Sequence, residues 1–464
     1  MTQRQLSGAR AIALALAAGS WLLADPAQAA TSGLVWRAAE RQVDADIQDW
    51  SLDTLLKEVA AQTGWSVFVE PNTTLTVSTR FRALPPADAL RRLLDRLNFA
   101  LLPQSNGPPH LLVFRTSMQE ATMAVPGRQT NAVATAATPL PNELIVRVKP
   151  GTDAEALAKA LGAQVIGRLD GLNAYRLRFN DTGDTESARR TLGTNPEVTA
   201  VDNNYAIERP PDARDVLSTS VAPLQLRART DRQDGRVVIG LIDTAVQTLD
   251  GGLNDFVLPT VRVADEAKPP ADVPSHGTAM AETVLRGLQA GTDGASAARI
   301  LPVDVYGSRP HTTTFDVAAG VYRAVQEGGA TILNLSLGSE GDSSFLHEML
   351  QAASSQGVLI FAAAGNAPVS TPTYPAAYPE VVAVTAGDRT GQIAGYANRG
   401  DFVDLVAPGA SIFYFNGQPF YVSGTSAATA LASGLAAAIA ERTRKSPDDV
   451  LAELKKLLAT RPAP

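Results

Sequence analysis

Four short stretches in the second half of the sequence carry side chains that can do covalent chemistry together. "LIDTA" holds Asp243, "SHGTAMAE" holds His276, "AAAGN" holds Asn366 and "SGTSAATA" holds Ser426. A serine hydroxyl is a poor nucleophile until a neighbouring base takes its proton. An imidazole can take that proton near neutral pH and pass it to a leaving amine. A carboxylate behind the imidazole fixes its tautomer and stabilises the cation that forms. A side-chain amide can donate an N–H where charge gathers on a tetrahedral oxygen. The set points to acyl transfer by a serine nucleophile, with Asp243, His276 and Ser426 in relay and Asn366 as oxyanion donor. Taken singly, each residue has a plainer reading. Ser426 could cap a buried helix, His276 could be a satisfied polar group at a helix start, and Asp243 could cap a turn. Asn366 could simply take a left-handed turn after Gly365. The four in one chain outweigh those readings.

Composition narrows the alternatives. The 464 residues contain no cysteine, which excludes disulfides, thiolate metal sites and a cysteine nucleophile. Imidazole chemistry must draw on four histidines, His110, His276, His311 and His347. Only His276 has a motif around it, and the other three read as surface residues. A net charge of -7 gives no footprint for nucleic acid. No spacing of Asp, Glu and His defines a metal site.

The four residues need a scaffold that brings them together. From about Gly235 the apolar runs "GRVVIGLID", "GATILNLSLG", "GVLIFAAAGN" and "EVVAVTAGD" end in polar residues and alternate with helical stretches. Continuous apolar strands between helices indicate an α/β fold, a parallel sheet with helices on both faces. Function in such sheets gathers at the carboxyl ends of the strands, where Asp243 and Asn366 fall. The run "SAATALASGLAAAIAE" predicts a small-residue helix whose N-terminus presents Ser426 with free backbone N–H groups around it.

Two smaller segments precede this one. "SLDTLLKEVAAQTG" predicts a helix capped by Ser51 and ended by Gly64, and "TLTVSTRFR" a strand. "PPADALRRLLDRL" predicts a second helix and "HLLVFR" a closing strand, giving a small α+β module over 40–116. Residues 117–141 are rich in Ala, Thr and Pro and read as a linker. Residues 142–208 follow the order β-α-β-β-α-β, the ferredoxin-like order.

On these motifs the catalytic segment, 212–464, resembles the subtilisin-like (S8) serine peptidases, which carry Asp, His and Ser in this chain order. The resemblance implies peptide-bond hydrolysis by Asp243, His276 and Ser426, with Asn366 in the oxyanion hole. It also implies that Ser336, Leu337 and Gly338 in "NLSLGS" form the edge that pairs with an extended peptide substrate. Calcium is possible by the same resemblance, with no ligands implied. Three positions depart from the family pattern: Ala245 and Glu282 where Gly is usual, and Ala430 where Pro is usual.

Residues 142–208, opening on "PNELIVRVKPG" and closing on "VTAVDNNY", resemble the fervidolysin-like subtilase prodomain. This implies an intramolecular inhibitor and folding aid, and self-cleavage between Asp202 and Leu217, away from the bonds preceding Pro210 and Pro211. The 40–116 module resembles the short N-terminal (STN) domain of secretins and TonB-dependent receptors. This implies attachment to a cell-envelope protein partner, with peptide hydrolysis independent of it. A basic start, the apolar run "AIALALAAGSWLLA" and "AQA" at Ala27–Ala29 make 1–29 a signal peptide, and the expected location is periplasmic or secreted. The competing expectation is a weakly active or inactive homologue that serves as an envelope binding or signalling protein.

Overall fold

The computed structural model describes residues 33–102, 109–116, 120–125, 137–215, 224–229, 237–266, 268–388 and 390–459. The expected signal segment, 1–29, lies outside the described residues. Among them no helix is long and apolar enough to cross a membrane.

The centre is a seven-stranded, wholly parallel sheet. Its order is Val261–Arg262, Arg299–Asp304, Val238–Asp243, Ile332–Leu335, Leu359–Ala363, Val381–Gly387 and Leu405–Pro408. Every residue of the strand Val238–Asp243 is buried, which is why its sequence is apolar throughout rather than alternating. Ile239 and Leu241 pack on one face with the helices His276–Ala290, Thr425–Thr443 and Pro447–Ala459. Val238 and Ile242 pack on the other with Thr314–Gln326 and Ser344–Ser355.

The helix that begins at His276 and the helix that carries Ser426 touch backbone to backbone. A Cβ added at Gly434 would lie 2.0 Å from the Val284 carbonyl oxygen, and one at Gly287 would lie 2.4 Å from that of Leu431. The alanine- and glycine-rich sequence of the serine helix is thus a condition of this close crossing. Gly434→Ala should cost about 3 kcal/mol or more, at the upper end for overpacking in a tight core. Thermal midpoints would show it, with Gly193→Ala, which faces open space, expected to be near neutral.

The segment 142–208 forms a four-stranded antiparallel sheet in the order Val198–Asn203, Glu143–Val148, Ala174–Arg178, Gln164–Leu169. The helices Ala154–Ala160 and Thr182–Gly193 pack on it. Its other face lies on the helices Thr314–Gln326 and Ser344–Ser355, where Ile145, Leu169, Ala174 and Ile207 share an apolar cluster with Phe315 and Phe345. A buried ion network closes this contact. Arg176 donates to Glu143 at 2.7 Å and to Asp316 at 3.3 Å, and Asn204 Nδ2 donates to Glu143 at 2.8 Å. Breaking such a network by removing one partner is costly because the others stay buried and charged.

The N-terminal module is larger than 40–116. It begins with the strand Gly33–Arg37, paired to Gln42–Ser51, and it ends with Met123–Val125, paired antiparallel to Ser66–Val69. The expected linker 117–141 therefore contains a strand and the buried residues Ala121 and Thr122. Sequence reasoning missed it because a three-residue edge strand is too short to show a period. The helix Leu52–Thr63 is capped by Ser51 and ended by Gly64, as expected, whereas the second helix stops at Leu93.

The module is packed against the catalytic region. Phe68, Leu112 and Ala121 bury together with Ala410 and Tyr421, and Phe68 meets Tyr396 edge-on at 5.7 Å. Gly395 N donates to the Thr122 carbonyl at 2.9 Å, and the Thr122 hydroxyl donates to Asp388 at 3.2 Å. His110, expected at the surface, lies in this contact beside Phe68 and Tyr396. His347 stacks on Tyr378 at 4.2 Å, and His311 lies in a paired strand.

Candidate active site

Asp243 ends the strand Val238–Asp243 and is fully buried. Its carboxylate faces His276 Nδ1, with Oδ1 at 2.8 Å and Oδ2 at 3.0 Å, and Thr244 N donates to Oδ1 at 2.7 Å. Nδ1 is therefore the protonated nitrogen, and Nε2 keeps the lone pair that a base needs. His276 opens its helix, with Ser275 as the cap accepting from Thr278 N at 3.1 Å. Gln247 fixes this entry: its Oε1 accepts from Ser275 N at 2.7 Å and from the Thr278 hydroxyl at 2.9 Å.

Ser426 lies in the first turn of the helix Thr425–Thr443. Its hydroxyl donates to the Ser336 carbonyl at 3.3 Å, while the Ser336 hydroxyl donates to the Ser426 carbonyl at 3.1 Å. Among the described residues its hydroxyl makes no hydrogen bond to His276. Asn334 Nδ2 donates to the Ser336 hydroxyl at 2.9 Å, and the Ser433 hydroxyl donates to Asn334 Oδ1 at 3.1 Å. These bonds tie the serine helix to the strand Ile332–Leu335 and its continuation through Ser336, Leu337 and Gly338. Ser336 and Leu337 are themselves buried.

Asn366 is exposed in the loop after the strand Leu359–Ala363. Its Oδ1 accepts from Thr425 N at 2.9 Å, which leaves both hydrogens of Nδ2 to give. Gly424, between the hairpin and the serine helix, has φ of 123° and lies against this amide. An added Cβ there would come within 2.9 Å of Nδ2, so only glycine supplies both the backbone and the space.

Asn398 escaped the sequence reading. It is buried and holds the Asn366 loop from three sides. Its Nδ2 donates to Ala364 O at 2.8 Å, its Oδ1 accepts from Ala367 N at 2.9 Å, and its own N donates to Gly365 O at 2.9 Å. One asparagine among loop residues gives no periodic signal, and neither does Gln247. Among the described residues no three Asp, Glu or His side chains gather to hold a metal ion.

Of the three departures, Ala245 has no positive φ and sits without backbone strain. Ala430 is buried inside an uninterrupted helix. Glu282 is the costly one. It is 3% exposed on the histidine helix, and burial pushes its pKa from 4.5 up to about 7, with Asp250 adding to the rise and Arg286 opposing it. Between pH 4.5 and 7 the folded chain keeps this proton while the unfolded chain releases it, so stability falls as pH rises through that window. Glu282→Gln should remove the slope and add about 3 kcal/mol at pH 8, at about 1.4 kcal/mol per pH unit of the window. Thermal midpoints of both proteins at pH 5 and pH 8 would test this. Equal slopes would mean that Glu282 is ionised without penalty.

The fold and this arrangement define a subtilisin-like α/β protease domain. The Subtilase family profile matches residues 234–460, and the Fervidolysin N-terminal prodomain profile matches residues 126–204. The chain is 31% identical over 317 residues to the thermophilic serine proteinase of Bacillus sp. (strain AK1), covering 66% of this chain and 79% of that one. It is 32% identical over 213 residues to thermitase of Thermoactinomyces vulgaris, covering 45% of this chain and 76% of that one. Fervidolysin from Fervidobacterium pennivorans shares the fold, with a TM-score of 0.51 at 22% identity, covering 67% of this chain and 56% of that chain. The chain belongs to the subtilase family of serine proteases and carries a fervidolysin-type prodomain.

Proposed function

We propose that the protein is an exported serine endopeptidase that hydrolyses peptide bonds through Asp243, His276 and Ser426, with Asn366 donating to the oxyanion. The observation that carries this reading is the buried Asp243 carboxylate on His276 Nδ1 at 2.8 Å, in a fold whose serine helix presents Ser426 at the same end of the sheet. In the reaction Ser426 Oγ leaves the Ser336 carbonyl, bonds to the substrate carbonyl carbon, and loses its proton to His276 Nε2. The carbonyl oxygen takes the negative charge beside Asn366 Nδ2 and the N–H groups of the serine helix. The imidazolium then protonates the leaving amine, and water repeats the sequence to free the acyl group. Ser336, Leu337 and Gly338 would pair with the peptide as an added strand.

In this reading 142–208 inhibits the enzyme as part of a self-processing zymogen. Residues 1–29 direct export to the periplasm or beyond, and the STN-like module meets an envelope partner. The test is hydrolysis of casein and of a peptide library by wild type and by Ser426→Ala, with fluorophosphonate labelling of Ser426. Absence of both labelling and Ser426-dependent hydrolysis would sink it. That result would favour the second reading, a subtilase homologue kept as an envelope binding protein, for which the 2% exposure of His276 speaks.

A further inference from the structure

The segment joining the prodomain to the catalytic domain is anchored along its length. Ala206–Glu208 pairs antiparallel with His311–Thr313, with Ile207 opposite Thr312 and fully buried. The Tyr306 hydroxyl donates to Glu208 O at 3.0 Å. Arg209 N donates to Pro310 O at 2.9 Å, and its guanidinium donates to Gly307 O at 2.8 Å. Pro210 and Pro211 follow, and the chain is then caught again. Asp212 Oδ1 accepts the backbone N–H of His276 at 3.0 Å, and Ala213 N donates to Pro274 O at 3.2 Å. Arg214–Asp215 pairs with Phe420–Tyr421, in the hairpin that leads to Ser426. His276 and Ser426, which a substrate must reach, are 2% and 8% exposed.

We propose that Ala206–Asp215 is a retained strap that closes the site over His276 and that the enzyme does not cut it. The proposal rests on the reading of Ser426 as nucleophile. Cleavage needs an extended backbone lying between Ser426 and the Ser336–Gly338 edge. The strap instead lies along His311–Thr313 and turns past His276 at two prolines, whose fixed φ and missing N–H do not suit that pairing. Among the described residues no backbone hydrogen bond joins 204–215 to Ser336, Leu337 or Gly338. Substrate enters when the strap lifts. The self-cleavage window expected from the sequence, Asp202 to Leu217, loses its middle, and any processing cut falls outside Ala206–Asp215.

The test uses the full chain after signal removal. Because the sequence has no cysteine, Glu208→Cys with His311→Cys allows one disulfide, and antiparallel partners are about 4.5–5.5 Å apart at Cα, within its reach. Oxidised, this protein should hydrolyse a short chromogenic peptide at least ~10-fold more slowly than when reduced, because the lock removes the open population. Wild type should not respond to reductant. Equal rates in the two states overturn the strap, as does Ser426-dependent cleavage of wild type anywhere in 206–215. Amide exchange in Ser426→Ala gives a readout independent of activity. The Arg209 and Ala213 amides should exchange more slowly than free coil but faster than those of the strand Val238–Asp243, because the strap opens locally, and exchange at free-coil rates would overturn the proposal. A reduced protein that neither hydrolyses nor labels at Ser426 would instead end the peptidase reading, and amide exchange would still decide whether the segment is anchored.

Discussion

Ser426→Ala is expected to abolish peptide hydrolysis, with kcat falling on the order of 10⁶-fold, the scale that removing the serine or histidine costs in a subtilisin. His276→Ala should fall by a similar factor, and the double variant should be no worse than either single one. The reason is that in the proposed mechanism the three groups act as one relay. Without the hydroxyl there is nothing for the imidazole to deprotonate, and without the imidazole the hydroxyl stays a weak nucleophile. Asp243→Asn should lose less, about 10⁴-fold, because its main work is holding the imidazole with Nε2 toward the serine. The fold should survive the serine change, since Ser426 Oγ makes a single 3.3 Å bond to the Ser336 carbonyl. Steady-state rates on a peptide substrate would measure this series, with circular dichroism as the check on folding. Ser426→Ala keeping most of the wild-type rate would assign the chemistry to another residue.

Asn366→Ala is expected to lower kcat by about 10²–10³-fold with KM little changed, because in the proposed mechanism its amide bonds an oxygen that becomes negative only as the bond is made. The structure adds a condition to that estimate. Asn366 Oδ1 is held by Thr425 N, so the amide is aimed before substrate arrives. Asn398 holds the same loop without reaching the site, and Asn398→Ala should lower kcat by loosening that aim. The two losses should not add, because Asn398 acts only through Asn366. A rise in KM with kcat unchanged for Asn366→Ala would place the amide on the bound substrate instead of the transition state.

The parts legible in the sequence were those with a period or a motif. The strand Val238–Asp243 read correctly because a core strand covered on both faces must be apolar at every position. The helix at Ser51 read correctly because Ser51 and Gly64 mark its two ends. The four candidate residues stood out because each lies in a short run of small residues, and the structure brings Asp243 and His276 into direct contact. What was not legible is what acts across distance. Asn398 and Gln247 work through hydrogen bonds to backbone far along the chain, and nothing local distinguishes them. Met123–Val125 takes its identity from its partner strand. The docking of Phe68 and Leu112 onto Tyr396 and Tyr421 could not be read from the module alone, because a residue that packs inside a small domain looks the same as one that packs between two.

That docking also sets a calendar. A ribosome makes the module before the prodomain, the prodomain before Asp243 and His276, and those before Ser426. Tyr421, five residues ahead of Ser426, is the residue that the waiting Phe68, Leu112 and Ala121 receive, and Arg214–Asp215 pairs with the same strand. The hairpin that leads to Ser426 therefore arrives at surfaces made long before it. In a nascent chain Ser426 is missing until His276, Ser336 and the Asn366 loop that face its end of the sheet have already been made.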